Sequence, residues 1–174
     1  MVDFIWNNFL KDASKKNNLR ETLKANILFK DLSRREIYLL ENIVNVRSYR
    51  PGESIFRQGE VGVGMYILVS GTVNIYVEEL EASTQQTKTT HVTQLTGGDF
   101  FGELALVEEE GRRSASAGAQ DETILIGFFK PDLKEVTERS PDAGVKILWR
   151  LGEVLGARLK QTTARISEMK KLHP

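Results

Sequence analysis

Residues 101–116 read Phe-Gly-Glu-Leu-Ala-Leu-Val-Glu-Glu-Glu-Gly-Arg-Arg-Ser-Ala-Ser. Within one short segment they bring together a glycine-started helical turn, a carboxylate, a tight loop and a pair of arginines. The first N–H groups of a helix have no partner inside it and attract an anion. Gly102 lets the backbone approach that anion closely, and an arginine fork neutralises a phosphate. Glu103 is the odd member, because a carboxylate beside a phosphate is repulsive. It has two possible tasks: to hold a neutral hydroxyl on the same ligand, or to satisfy the positive end of its own helix, worth about 0.3–1 kcal/mol without any ligand. A phosphate next to a free hydroxyl describes a ribose phosphate.

Arg112 and Arg113 are adjacent, so in an extended segment they point to opposite faces and only one enters a pocket. Ser114 offers a hydroxyl to a phosphate oxygen or is a plain strand serine, and Ala115 leaves room for a sugar. Leu104 and Leu106 read as core. Glu108–Glu110 read as a solvated loop, whose carboxylates lack the desolvation that an acid–base pair needs.

Outward from this segment the period of the apolar residues is two. Val73, Ile75 and Val77 alternate with Asn74, Tyr76 and Glu78, and Ile124, Ile126 and Phe128 alternate with Leu125 and Gly127. Glycines at 52, 59, 62, 64, 71, 97 and 98 punctuate these runs, as a compact antiparallel roll requires. Residues 79–90 are polar and read as a hairpin tip. Before the strands, residues 3–11 carry an amphipathic pattern. The apolar positions of Leu19–Val44 recur at helical spacing, with Ser33 and Glu36 as a capping box that starts a helix over Arg34–Asn45. After them the helical period returns over Asp132–Arg139 and from about Gly144 to Leu172. Leu148, Leu155, Leu159, Thr162, Ile166 and Met169 follow near-heptad steps, so the far end of that helix calls for a partner, a parallel homodimer being the natural one.

Composition narrows the function. Lys plus Arg equals Asp plus Glu at 24 each, which gives no long-range field toward nucleic acid or an anionic membrane. There is no cysteine, so thiolate metal sites and cysteine nucleophiles are excluded and a reducing cytoplasm fits. His91 and His173 are the only histidines and lie far apart, a poor basis for a metal-dependent enzyme.

The 101–116 segment resembles the phosphate-binding cassette of cyclic-nucleotide-binding domains. Upstream, Arg50–Glu60 (Arg-Pro-Gly-Glu-Ser-Ile-Phe-Arg-Gln-Gly-Glu) and Met65–Gly71 are similar to that family's first strands and turns, with Phe56 bulkier than the small aliphatic residue usual there. Downstream, Ile147–Leu151 through Arg158–Leu159 to Thr162–Thr163 is similar to the long helix of the family's bacterial catabolite-activator branch. The resemblance implies an α+β fold, an antiparallel β-roll or jelly roll flanked by N-terminal helices and a long C-terminal helix. Its parts would be a helical extension over 1–26, the roll with its cassette over 27–142, and the long helix over 143–174.

The ligand set the resemblance implies is Phe101, Gly102, Glu103, Leu104, Ala105, Arg113, Ser114 and Ala115 for sugar and phosphate, with Arg158, Thr162 and Thr163 from the helix. Arg113, followed by Ser-Ala-Ser, stands where the cassette arginine stands; Arg112 would fit a loop one residue shorter. Thr162 and Thr163 interrupt the apolar seam where the related helix carries a Thr-Ser pair that reads adenine, one of the two across the dimer. Arg158 either reaches the ligand or forms a helix-surface ion pair. The implied function is a non-catalytic sensor of a cyclic purine nucleotide, cAMP ahead of cGMP, that needs no cofactor and signals by moving its C-terminal helix. It would be a cytoplasmic homodimer acting on an unidentified effector protein, with no direct contact to nucleic acid or membrane, since the chain stops short of a DNA-binding domain. The alternative is a ligand-free β-roll scaffold for dimerisation or partner binding.

Overall fold

The computed structural model describes residues 13–80 and 87–172, the side chains of 13–18, 170 and 172 excepted. The amphipathic segment 3–11 and residues 81–86 of the polar run lie outside the described residues. The chain runs through α1 (Ala13–Ala25) and α2 (Arg34–Glu41) into β1 (Asn45–Tyr49), β2 (Ser54–Phe56), β3 (Gly64–Ser70), β4 (Val73–Leu80), β5 (Thr87–Leu95) and β6 (Phe100–Phe101). A single 3-10 turn at Glu103–Leu106 leads to β7 (Ser116–Ala119), β8 (Thr123–Phe129), α3 (Lys130–Arg139) and α4 (Pro141–Leu172).

The strands form two antiparallel four-stranded sheets, one in the order β1-β8-β3-β6 and the other β2-β7-β4-β5. The central strands β3 and β8 of the first sheet are buried on both faces, which is why Met65–Leu68 and Leu125–Phe128 read as continuous apolar runs. Met65, Ile67, Ile126 and Phe128 turn toward the helices and pack with Leu23, Phe29, Leu40, Val136 and Ile147. Tyr66, Leu68 and Leu125 turn the other way and meet Val73, Phe101 and Ala117 between the sheets. Phe29 and Phe128 meet edge-to-face at 5.6 Å, pinning the helical layer to β8.

Ser33 caps α2 as expected: its backbone N–H donates to Glu36 Oε2 at 2.5 Å and its Oγ accepts from Glu36 N–H at 3.4 Å. The helix ends earlier than the pattern suggested, at Glu41, because Asn42 closes it with backbone bonds to Leu39 and Leu40 and Asn45 already pairs with Gly127 in β1. The polar run 79–90 is also not all loop. Glu79 pairs with Lys88 and Leu80 with Thr87, so β4 and β5 extend to both sides of the tip; threonine's branched Cβ suits an exposed pleat without any apolar alternation.

α4 is held by Ala143, Ile147 and Leu151 in its first third and by two ion pairs, Lys146 with Glu36 at 2.9 Å and Arg150 with Asp31 at 2.5 Å. Truncating Ile147 to alanine, at a site with no exposed surface, removes packing between α4 and the roll. Chemical denaturation of Ile147→Ala should show a loss of about 2–5 kcal/mol.

Candidate functional site

The cassette folds around a pocket of about 460 Å³. Gly102 adopts φ +74°, a left-handed conformation that turns the chain from β6 into the 3-10 turn. The first bond of that turn is Ala105 N–H to Gly102 O at 3.2 Å, so the N–H groups of Glu103 and Leu104 precede it. A Cβ on Gly102 would sit 2.4 Å from Arg113 Nη1, so the same glycine also makes room for the arginine.

Of the two arginines, Arg113 is the buried one, with 8% of its surface exposed. Its backbone is clamped to the turn after β2, by Arg113 N–H to Glu60 O and Gly59 N–H to Arg113 O, both at 2.8 Å. Its guanidinium donates from Nη1 to Gly102 O at 3.1 Å and from Nη2 to Gly64 O at 2.7 Å. Nε is buried and donates to nothing, and among the described residues no carboxylate forms an ion pair with this cation. Burial pushes the guanidinium below the ordinary arginine range, opposed by the nearby Tyr66, Glu60 and Glu103; an arginine nevertheless stays charged at neutral pH. Arg112 is exposed and donates to Gly59 O at 2.7 Å.

Glu103 is buried, and its partner is Arg158 from α4. Arg158 Nη1 donates to Glu103 Oε1, Nη2 donates to Phe100 O at 3.2 Å, and the guanidinium lies 4.9 Å from the centre of the Phe100 ring. Arg158 therefore does form an ion pair, but with the cassette carboxylate and on the pocket wall. Ser114, Ala115 and Thr162 line the pocket, as do Phe101–Ala105. Thr163 is not among the lining residues. The two threonine hydroxyls donate back along the helix, Thr162 to Arg158 O and Thr163 to Leu159 O, each at 2.9 Å.

Leu104 is not core. It is 44% exposed and faces the pocket, whereas Leu106 is buried as expected. In a turn of three residues per revolution, Glu103 and Leu106 fall in line and Leu104 is directed away from both. The remaining wall was not foreseen: Phe56 from β2, Ile75 from β4, Val92, Thr93 and Leu95 from β5, and Phe100 from β6. β5 is bulged there, with Ile75 opposite Thr93 and Tyr76 opposite His91, leaving Val92 as the extra residue.

The profile of the family described as "Cyclic nucleotide-binding domain" matches residues 46–140. The chain belongs to that family. It is 32% identical over 139 residues to the Cyclic AMP receptor protein of Thermus thermophilus, covering 80% of this chain and 60% of the relative. It is 29% identical over 126 residues to the cGMP-dependent protein kinase of Plasmodium berghei, covering 70% of this chain and 13% of the kinase. The crystal structure of the Thermus thermophilus Catabolite Activator Protein superimposes with a TM-score of 0.71 at 29% identity, over 83% of this chain and 63% of that one. The domain thus spans about three fifths of the first relative and a small part of the kinase, and it resembles the sensor portion of the catabolite activator. Among the described residues no helix is long and apolar enough to cross a membrane.

Gly102→Ala should strain the left-handed turn and displace Arg113, lowering stability by about 1–3 kcal/mol in chemical denaturation.

Proposed function

We propose that this domain is a non-catalytic, cytoplasmic sensor of a cyclic purine nucleotide, with cAMP preferred over cGMP. The observation that carries this reading is Arg113: a buried cation with no ion-pair partner among the described residues and an unused Nε–H, set in the wall of a pocket of about 460 Å³. A buried charge left unpaired is costly, and an anion delivered to it recovers charge-assisted hydrogen bonds of about 1.5–3 kcal/mol each. The phosphate binds at Arg113 beside the backbone of Gly102–Ala105, with Ser114 donating its hydroxyl. Glu103 accepts the ribose hydroxyl on Oε2 while Arg158 keeps Oε1.

The base lies along Val92, Leu95 and Ile75 and reaches Thr162. The Thr162 proton is already given to Arg158 O, so the oxygen offers lone pairs. Those accept from the exocyclic amino group of adenine, whereas the carbonyl oxygen of guanine would meet them as a second acceptor. Because the Glu103–Arg158 pair ties α4 to the cassette and the base would add a contact to Thr162, ligand stabilises one position of α4, and that position is the output to an effector protein.

The second half of α4 supports a homodimer. The helix has 32 residues and is about 48 Å long, but its fully buried anchors end at Leu151. Beyond them Leu159, Ile166 and Met169 are exposed at heptad steps. A Cβ on Gly152 or Gly156 would meet nothing within 4 Å, so a second helix can approach closely there. Thr163, outside its own pocket, then comes to lie on the side available to the partner copy.

Calorimetry with cAMP and cGMP tests the ligand. Binding should be micromolar or tighter for cAMP, weaker for cGMP, and reduced at least about 100-fold by Arg113→Ala. Absence of binding to either nucleotide in folded protein free of co-purified ligand contradicts the reading. Sedimentation equilibrium tests the assembly: the wild-type chain should run as a dimer and Leu159→Arg as a folded monomer, since a charge at a seam position is not accommodated.

A further inference from the structure

Arg113 is held by more than its two backbone acceptors. Its Cζ lies over the face of the Phe56 ring, 4.0 Å from the ring centre. Phe56 is in turn seated on Tyr66 (6.1 Å between centres, 29° between planes) and Phe101 (5.8 Å, 41°), which stack on each other at 5.7 Å. Tyr66 meets Phe129 edge-on at 5.8 Å, so the stack is rooted in the layer between the sheets.

The two backbone bonds and the ring do different things. Gly102 O and Gly64 O lie on the guanidinium edges and fix directions within its plane. They leave the plane free to tilt about the line joining them. A ring face with Cζ 4.0 Å from its centre opposes that tilt, because carrying the cation away from the negative face weakens the attraction. What then remains for a ligand is the unused Nε edge, in one orientation. An aliphatic side chain at position 56 would fill space but present no such face.

We propose that Phe56 is a positioning residue for the phosphate arginine: it sets the plane of the Arg113 guanidinium before ligand arrives and so sets the affinity for the phosphate. The proposal deepens the cyclic-nucleotide reading and rests on it for its binding consequence, although the positioning itself needs no ligand.

Two variants and two readouts test it. Phe56→Leu removes the aromatic face at similar bulk; Phe56→Tyr keeps the face. In crystal structures of the ligand-free protein, the Arg113 guanidinium plane should keep one orientation in the wild type and Phe56→Tyr, and be tilted or split between orientations in Phe56→Leu. In calorimetry with cAMP, Phe56→Leu should bind roughly tenfold more weakly, and Phe56→Tyr within about threefold of wild type. Thermal unfolding shows that the compared proteins are folded. Cyclic AMP affinity of folded Phe56→Leu within twofold of wild type overturns the proposal, as does Phe56→Tyr as weak as Phe56→Leu. An Arg113 guanidinium plane unchanged in ligand-free Phe56→Leu also overturns it. If the wild type binds neither cAMP nor cGMP, the nucleotide reading fails, and the ligand-free crystal structures still decide whether Phe56 positions Arg113.

Discussion

A buried arginine without a counter-charge is the constraint on which the rest of this structure depends. Folding takes the Arg113 guanidinium out of water and gives it two backbone carbonyls and an aromatic face, but no carboxylate ion pair among the described residues. A protein seeking only stability would place an aliphatic side chain there. Gly102 and Gly64 leave space where a Cβ would strike the arginine or the backbone of β8, and the turn at Gly59–Glu60 clamps the Arg113 main chain. The surroundings thus hold a buried guanidinium whose Nε–H has no acceptor among the described residues.

The second feature is the link from the cassette to α4. Glu103 is even less accessible than Arg113, and the side chain that reaches it comes from a helix more than fifty residues later in the chain. Arg158 bridges Glu103 and Phe100 O while its face lies over Phe100, so displacing α4 breaks an ion pair, a hydrogen bond and a ring contact together. Breaking that pair would leave the buried Glu103 carboxylate without its cation, which is costly. The helix is firmly packed only up to Leu151, and its apolar seam beyond that point remains available to a partner.

Much of this was legible in the sequence because the cassette is contiguous. Gly102, Glu103 and Arg113 lie within a dozen residues of one another, and their chemistry alone points to a phosphate beside a hydroxyl. The capping box at Ser33 and the long helical period after Pro141 were equally local. What was not legible depends on contacts between distant segments. Leu104 looked like core because an apolar residue in a short helix usually is, and only the tighter geometry of a single 3-10 turn directs it into the pocket. The β5 wall was hidden by its threonines, which carry no apolar alternation, and by a bulge that leaves Val92 unpaired. Phe56 stood out only for its bulk; its face-on contact with Arg113, far along the chain, has no signature in either residue's neighbourhood.

The most direct test of Arg113 as an anion anchor is a crystal structure of the domain grown with cAMP. The account predicts a phosphate oxygen within hydrogen-bond distance of Arg113 Nε, the ribose hydroxyl on Glu103, and the Arg158–Glu103 pair still in place. A nucleotide bound elsewhere, or a pocket in which Arg113 Nε remains without an acceptor at saturating cAMP, would contradict it.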